Sequence, residues 1–221
     1  MRDGIIAVSP LMLGVMPFGL IFGVTVAATR VENFLGWATS FVIFAGAAQL
    51  ATIELLDQAA PAIVVIATAL VINARHFMYS AALSPHFGDF PPRWRLVAPY
   101  VLTDQAFALS ITRFDRVSDP LYKRWFYAGA AVTLWVLWQI TTGVGVLLGA
   151  QVPESWNLDF AIPLVFLSLL IPTVRTRPSL VAALVGGTLA VIGRGLPNGT
   201  GLLVAAAAGI AAGVVAERIT G

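Results

Sequence analysis

Long apolar segments separated by short polar ones make up almost the whole chain. Residues 4–29, 33–53, 125–153 and 195–216 contain no Asp, Glu, Lys or Arg, and each window can supply the roughly 20 apolar residues that a helix needs to cross a bilayer core. The complete pattern contains eight apolar runs, at residues 4–29, 34–56, 61–84, 96–112, 125–150, 160–174, 178–192 and 201–216. It predicts an all-α polytopic membrane protein, with residues 1–221 in one transmembrane domain. We expect seven or eight membrane segments, because the fourth and sixth runs are short.

Composition supports this class and excludes several functions. Of the 221 residues, 58% are hydrophobic and 11% are charged, whereas a soluble domain has about 25% charged residues. The net charge of +2 comes without a run of Lys or Arg, so we expect no nucleic-acid partner. The chain has no cysteine, which excludes disulfides and Cys-ligated metals. It also lacks HExxH, GxSxG and a glycine-rich phosphate loop, so we expect neither an enzyme nor a bound cofactor or metal.

Arginine and lysine residues in the short loops predict the orientation in the membrane. If all eight runs cross, these residues divide eight against four between the two sides. If the fourth run does not cross, they divide ten against two, so seven crossings fit the rule better. Both arrangements place Arg218, and hence the C-terminus, in the cytoplasm, while the side of the N-terminus stays open.

Two stretches of the chain are weakly similar to each other. Residues 38–72 and 161–192 both contain an apolar segment, a short polar link and a second apolar segment that opens with proline. An odd number of crossings between the copies would invert one relative to the other, as is common in secondary transporters. The similarity is therefore compatible with an inverted repeat.

Polar side chains inside the apolar runs are the candidates for function, because ionisable groups in hydrocarbon are costly and usually face a watery path. Asn73, His76 and Ser80 are spaced to share one face of a continuous helix, from which Arg75 points away by about 200°. Asp104 lies in the middle of the fourth run. Arg75 either clamps loop carbonyls near a helix end or pairs with Asp104. His76 is either an interfacial histidine or part of the path.

Neutral polar residues and glycines add further candidates. Gln49 lies within the second run, and Gln139, within the fifth, is expected to hydrogen-bond a neighbouring helix. Gly19 and Gly23 are four residues apart, which is typical of close helix packing. The alternative is an unwound helix at Pro17 and Gly19, whose free amides would hold a carboxylate.

Four stretches of the sequence resemble the AzlC family, the azaleucine-resistance proteins. They are PFGLIFG at residues 17–23, FAGAAQLATIELL at 44–56, NARHFMYSAALSPHF at 73–87 and LTDQAFAL at 102–109. The Asn-x-Arg-His and Thr-Asp-x-x-Phe-Ala motifs are the most specific, whereas Gln105 departs from the acidic residue that the family commonly carries there. The resemblance implies the large subunit of a secondary transporter that exports branched-chain and other apolar amino acids across the bacterial inner membrane, driven by protons. It also implies a hetero-oligomer with a small AzlD-type membrane subunit.

The same resemblance suggests that Asn73, Arg75, His76 and Asp104 form one polar centre. Arg75 would neutralise Asp104 or hold the substrate carboxylate, and Asp104 or His76 would receive the substrate ammonium or the coupling proton. Gln49 and Gly19 complete the predicted substrate and proton pathway, with Phe18, Phe44 and Phe107 as candidates for an apolar pocket. Two alternatives stay open: an intramembrane enzyme that uses Glu54, His76 and Asp104, and an assembly subunit that does not transport.

Overall fold

The computed structural model describes residues 1–149, 174, 176–196 and 200–220, and throughout these ranges the regular structure is helical. The α-helices are α1 (Arg2–Ala28), α2 (Asn33–Val42), α3 (Gly46–Asp57), α4 (Ala62–Asn73), α5 (Arg75–Phe87), α6 (Pro92–Val97), α7 (Asp104–Phe114), α8 (Pro120–Gly149), α9 (Arg177–Ile192) and α10 (Thr200–Thr220). Short 3-10 helices, Ala98–Val101 and Gly193–Gly195, follow α6 and α9. The all-α prediction is confirmed for this part of the chain.

Among the described residues, four helices are long and apolar enough to cross a membrane. They are α1, α8, Arg177–Gly195 and Thr200–Ile219, and α4 with α5 would make a fifth, bent span. A multi-pass helical membrane protein is therefore supported, while the count of seven or eight segments stays a prediction. The sixth apolar run, except for Val174, and the first part of the second copy of the suggested repeat lie outside the described residues.

The chain folds into two compact units. Unit 1 contains Met1–Gln49 and Asn73–Val152, and unit 2 contains Leu50–Ile72 and Pro153–Gly221. The motif residues Asn73, Arg75, His76 and Asp104 all belong to unit 1. The single transmembrane domain over residues 1–221 stays a prediction.

Unit 1 is built on a close pairing of α1 with α8, in which glycines let the two backbones touch. A Cβ on Gly23 would collide with the Thr142 carbonyl oxygen and lie 2.5 Å from the Val146 amide nitrogen. A Cβ on Gly145 would collide with the Leu20 carbonyl oxygen. Small residues at such positions allow the van der Waals packing that joins membrane helices, so the packing interpretation of this glycine spacing is confirmed.

The alternative for the first run, an unwound helix, is wrong. Helix α1 continues from Arg2 to Ala28 through both Pro10 and Pro17. Proline inside a membrane helix is tolerated when neighbouring groups satisfy the freed carbonyls. Here the tight contact with α8 holds the helix in one piece.

Three other runs that the hydrophobic pattern presents as continuous are broken. The second run is interrupted between α2 and α3, where Phe44 adopts a left-handed backbone with φ of 42°. The third run breaks at Ala74, and its two halves, α4 and α5, are bent by 41°. The fourth run divides into α6, a 3-10 turn and α7, because Thr103 is extended, with φ of −129° and ψ of 168°.

In unit 2, α9 packs closely on α10, and α3 contributes to a small apolar cluster. A Cβ on Gly209 would lie 3.0 Å from the Ala182 carbonyl oxygen and 3.1 Å from the Gly186 Cα, so this contact also depends on small residues. Buried Leu55, Val64 and Val65 pack together with Leu203.

Candidate functional site

Two helix N-termini meet at the motif residues of unit 1. Arg75 is the first residue of α5 and Asp104 is the first residue of α7. Thr103 caps α7, since its hydroxyl oxygen accepts a hydrogen bond of 3.2 Å from the Ala106 amide. Threonine is favoured at this cap position and aspartate in the first turn, where the helix dipole stabilises a negative charge. Asp104 therefore begins a helix, although it lies in the middle of the fourth apolar run.

Arg75 and Asp104 form the predicted ion pair. Arg75 Nε lies 3.2 Å from Asp104 Oδ1, and the two side chains are 33% and 46% exposed. The Tyr79 hydroxyl donates a hydrogen bond of 2.7 Å to the same carboxylate oxygen. An ion pair with this much exposed surface needs water or another polar group beside it, because hydrocarbon would not solvate it.

Aromatic rings cover one side of the ion pair. The Tyr79 ring stacks on Phe107 with centroids 4.3 Å apart and an interplanar angle of 12°. The His76 ring meets Tyr79 edge-on at 5.7 Å. Tyr79 was not among the predicted site residues, although its spacing of three and four residues from His76 and Arg75 puts the three side chains on one face of α5. We call Arg75, His76, Tyr79, Asp104 and Phe107 the charged centre.

Asn73 lies beside the charged centre, at the end of α4, and the helix break changes its predicted relation to His76. Because α4 ends at Asn73 and α5 begins at Arg75 after a bend of 41°, Asn73 does not share one continuous helix face with His76 and Ser80. His76 and Ser80, four residues apart in α5, do share a face as predicted. The Asn73 Oδ1 atom is buried and has no hydrogen-bond partner within the described residues. An unpaired buried acceptor of this kind is suited to a donor from a ligand.

Gln49 belongs to a different cluster, which is neutral and buried. Its Oε1 accepts a hydrogen bond of 3.0 Å from Trp138 Nε1. Its Nε2 donates to Thr39 Oγ1 at 3.1 Å and to Ser40 Oγ at 3.0 Å. We call these four residues the neutral centre.

Nearby groups extend the neutral centre across the interface between α2 and α8. Ser40 Oγ donates to Thr142 Oγ1 at 3.2 Å, and Gln139 Nε2 donates to the Ser40 carbonyl oxygen at 3.0 Å. The prediction that Gln139 bonds a neighbouring helix is confirmed.

Gly19 also lies beside Trp138 rather than at the charged centre. A Cβ on Gly19 would collide with Thr141 Oγ1 and lie 3.5 Å from the Trp138 ring. Phe18 packs against the same tryptophan with centroids 5.3 Å apart. The predicted site residues therefore fall into two groups: Arg75, His76 and Asp104 in one, with Asn73 beside them, and Gln49 and Gly19 in the other.

Tyr100 links the segment before Asp104 to the helix that carries part of the neutral centre. Its hydroxyl donates a hydrogen bond of 2.6 Å to the Phe41 carbonyl oxygen in α2. The same hydroxyl oxygen accepts a hydrogen bond of 3.1 Å from Trp135 Nε1 in α8. The 3-10 turn that leads to Thr103 and Asp104 is thus fixed to two helices.

The components of the alternative enzyme site do not form a metal centre in the part of the chain that is described. No group of three His, Cys, Asp or Glu side chains in these ranges is placed to hold a metal ion. Glu54 is exposed on α3 and accepts a hydrogen bond of 2.8 Å from Gln58 Nε2, one turn later. Such a contact is an ordinary helix-surface pair.

Comparison with known proteins gives one family and distant relatives. The family model described as AzlC protein matches residues 10–152, a range that includes both centres. An uncharacterized membrane protein of Archaeoglobus fulgidus is 29% identical over 216 residues, which cover 94% of this chain and 91% of the relative. An uncharacterized membrane protein of Helicobacter pylori is 25% identical over 186 residues, covering 82% of this chain and 79% of the relative. No solved structure matches the chain.

Proposed function

Because the chain belongs to the AzlC family, we propose that it is the large subunit of a secondary transporter that exports branched-chain or other apolar amino acids across the bacterial inner membrane. Export is coupled to protons, and a small AzlD-type membrane subunit completes the hetero-oligomer. The C-terminus lies in the cytoplasm, as the distribution of arginine and lysine predicts.

The observation that carries this proposal is the exposed ion pair at the charged centre. A free amino acid is a zwitterion, so its carboxylate can replace Asp104 on Arg75 while its ammonium replaces Arg75 on Asp104. One internal pair is exchanged for two pairs with the ligand, and the net charge of the centre does not change. A pair as exposed as this one has the small interaction energy that such an exchange requires, about 1 kcal/mol or less.

The surroundings of the pair suit the remainder of the substrate. Stacked Tyr79 and Phe107 offer an apolar surface on which an aliphatic side chain loses its contact with water. Asn73 Oδ1, which has no partner among the described residues, offers an acceptor for one ammonium hydrogen. Sites of this kind combine a largely apolar wall with a few polar groups that fix orientation.

Asp104 is our candidate for the coupling residue. Exchange of substrate for protons needs a group that gains and loses a proton in the transport cycle, and Asp104 and His76 have this chemistry at the charged centre. His76 follows Arg75 directly in the chain, so a proton on the imidazole would lie close to a permanent positive charge. His76 is therefore the second candidate.

Proteoliposomes that contain the chain and its small partner test the function. With an imposed pH gradient, the wild type should build a gradient of labelled leucine. Asp104→Asn keeps the size of the side chain and removes its titration, so it should abolish uphill export while some downhill exchange remains. Asp89→Asn is the matched control, because Asp89 is an exposed aspartate in the α5–α6 loop, and it should transport like the wild type.

Two outcomes would change the proposal. If Asp104→Asn still builds a leucine gradient, the coupling role moves to His76. If vesicles with the small partner alone transport as well as vesicles with both chains, the chain is an assembly subunit. A reporter that is active only in the cytoplasm, fused after Gly221, checks the orientation independently.

A further inference from the structure

A second candidate site in unit 1 is a cavity where the N-terminal turns of α1 meet the end of α7 and the start of α8. Its volume is about 470 Å³, which is within the range of small-molecule sites. Three charged residues, Asp3, Arg113 and Arg116, and three large apolar ones, Ile6, Leu109 and Phe126, contribute to its wall. None of the residues of the charged centre lines it.

A tyrosine outside this wall holds two of the charges in place. The Tyr122 hydroxyl donates a hydrogen bond of 2.9 Å to Asp3 Oδ2. The same hydroxyl oxygen accepts hydrogen bonds from Arg113 Nε at 3.0 Å and from Arg113 Nη2 at 2.7 Å. The Arg113 guanidinium also lies over the Tyr122 ring, 5.5 Å from its centroid. The Tyr122 hydroxyl therefore bridges the Asp3 carboxylate and the Arg113 guanidinium and fixes the position of both.

Arg116 adds a positive charge that the cavity does not neutralise. Its guanidinium makes no hydrogen bond or ion pair with any residue in the described ranges, although it contributes to the wall. The wall thus includes two arginines and one aspartate. The cavity is set up for an anionic oxygen group beside Arg113 and Arg116, with room for a positive group at Asp3.

We propose that this cavity binds a zwitterion with an apolar tail. Arg113 and Arg116 hold the anionic oxygens, Asp3 holds the ammonium, and the tail packs on Ile6, Leu109 and Phe126. An apolar amino acid and the headgroup region of phosphatidylethanolamine both have this chemistry. The amino acid as ligand rests on the proposed function, whereas the zwitterion site itself does not.

The test measures binding of both molecules to the full chain with its small partner. Labelled leucine is titrated in a detergent free of phosphatidylethanolamine, in an Arg75→Ala background, which removes the guanidinium proposed to hold the leucine carboxylate at the charged centre. Phosphatidylethanolamine is titrated separately and counted by native mass spectrometry. One variant is Arg116→Ala, which removes a guanidinium that has no hydrogen bond or ion pair with the described residues. The other is Thr112→Trp, whose larger side chain fills the cavity from an exposed position on its wall. Arg95→Ala is the control, since Arg95 is an exposed arginine outside this cavity.

Arg116→Ala should weaken binding of one of the two molecules about tenfold, the effect of losing one charge-assisted hydrogen bond. Thr112→Trp should abolish that binding, and Arg95→Ala should leave it unchanged. Weaker binding of leucine in the variants identifies the free amino acid as the ligand of the cavity. Weaker binding of phosphatidylethanolamine identifies the phospholipid as that ligand. If both variants bind both molecules like the control, the site does not exist. Should Arg116→Ala fail to fold, Thr112→Trp alone decides.

This experiment is independent of the transport assay. If the chain proves not to export amino acids, the shift in binding at the cavity is still expected. If export is shown and neither cavity variant changes binding, the proposed function is supported and the proposal of a zwitterion site is wrong.

Discussion

The neutral centre and the charged centre lie in the same unit, yet they use polar groups in opposite ways. Gln49 is fully buried, and both ends of its amide are bonded to α2 and α8. Asp104 and Arg75 are partly exposed and retain bonding capacity beyond their mutual contact. Polar residues in this apolar sequence thus differ: Gln49 joins helices, whereas Arg75 and Asp104 stay open to further contacts.

The difference follows from the free energy of burial. A neutral amide can be buried when each of its polar atoms is hydrogen-bonded, and the low dielectric then strengthens the network. A charged pair loses far more hydration when it is buried, and the attraction between its members does not always restore that loss. A charged pair is therefore expected to keep part of its surface exposed, as the Arg75 and Asp104 side chains do.

The largest effect on folding should come from the neutral centre. Gln49→Leu leaves Trp138 Nε1 without its acceptor, and Thr39 and Ser40 lose their donor. An unsatisfied buried group costs about 1–3 kcal/mol, so we expect a loss of roughly 3 kcal/mol in the free energy of unfolding. Unfolding of the purified protein in detergent measures it, and transport per folded molecule should change little.

Gln58→Leu is the matched control for this substitution, because Gln58 is an exposed glutamine directly after the same helix. It loses only its surface contact with Glu54, worth about 0.2–0.5 kcal/mol. Equal stability of the two variants would show that the buried network does not hold α2, α3 and α8 together.

An intermediate effect is expected for the ion pair. Arg75→Ala and Asp104→Ala should each abolish transport, whereas their coupling energy in a double-mutant cycle should be about 1 kcal/mol or less. From sequence alone we would expect about 3–5 kcal/mol, because a buried pair leaves an uncompensated charge when one partner is removed. The exposure of both side chains lowers that figure. A coupling energy above about 3 kcal/mol would place the pair in a buried site after all.

The smallest effect should come from the Tyr79 hydroxyl. Tyr79→Phe keeps the ring that stacks on Phe107 and removes the hydrogen bond to Asp104. We expect a loss of about 0.5 kcal/mol in stability, the low end for a hydrogen bond, because this one is partly exposed, and a reduction of transport of about tenfold or less. Tyr100→Phe removes a hydroxyl that fixes the turn before Asp104. An equal loss of transport in the two variants would show that transport depends on the position of Asp104 and not on its bond with Tyr79.

The sequence was sufficient to predict the long helices. The runs at 4–29, 125–150, 178–192 and 201–216 correspond to α1, α8, α9 and α10. In lipid a chain must satisfy its backbone hydrogen bonds within its own segment, so a long charge-free run is expected to be helical.

The helix breaks were less accessible, and they decide the geometry of the site. Phe44 has no local feature that favours its left-handed backbone, and Gly46 is needed because a Cβ there would lie 2.5 Å from the Phe18 ring. That contact joins residues far apart in the chain and is not visible in a local pattern. The Thr103–Asp104 pair, in contrast, is a typical helix start, and would have placed Asp104 at an N-terminus.

Pairing of the site residues was predictable only in part. The motif brought Arg75 and Asp104 together correctly, because opposite charges in an apolar chain have few partners to choose from. Gln49 has no such constraint, and an amide can bond to any suitable donor or acceptor nearby. Its actual partners depend on where Trp138 lies on α8, which follows from the tertiary packing.

The glycine contacts between α1 and α8 also have a mechanical consequence. If α1 slid along α8 by one turn, Ala27 would take the position of Gly23, where the contact with Thr142 and Val146 admits no Cβ. The packed helices α1 and α8 therefore resist sliding past each other and are expected to move as one rigid body. If the chain transports as proposed, we expect movement to come from bending at the backbone breaks at Phe44, Ala74 and Thr103. Two of these breaks, at Ala74 and Thr103, directly precede Arg75 and Asp104, so even a small rotation there would open or close the gap between the two charges.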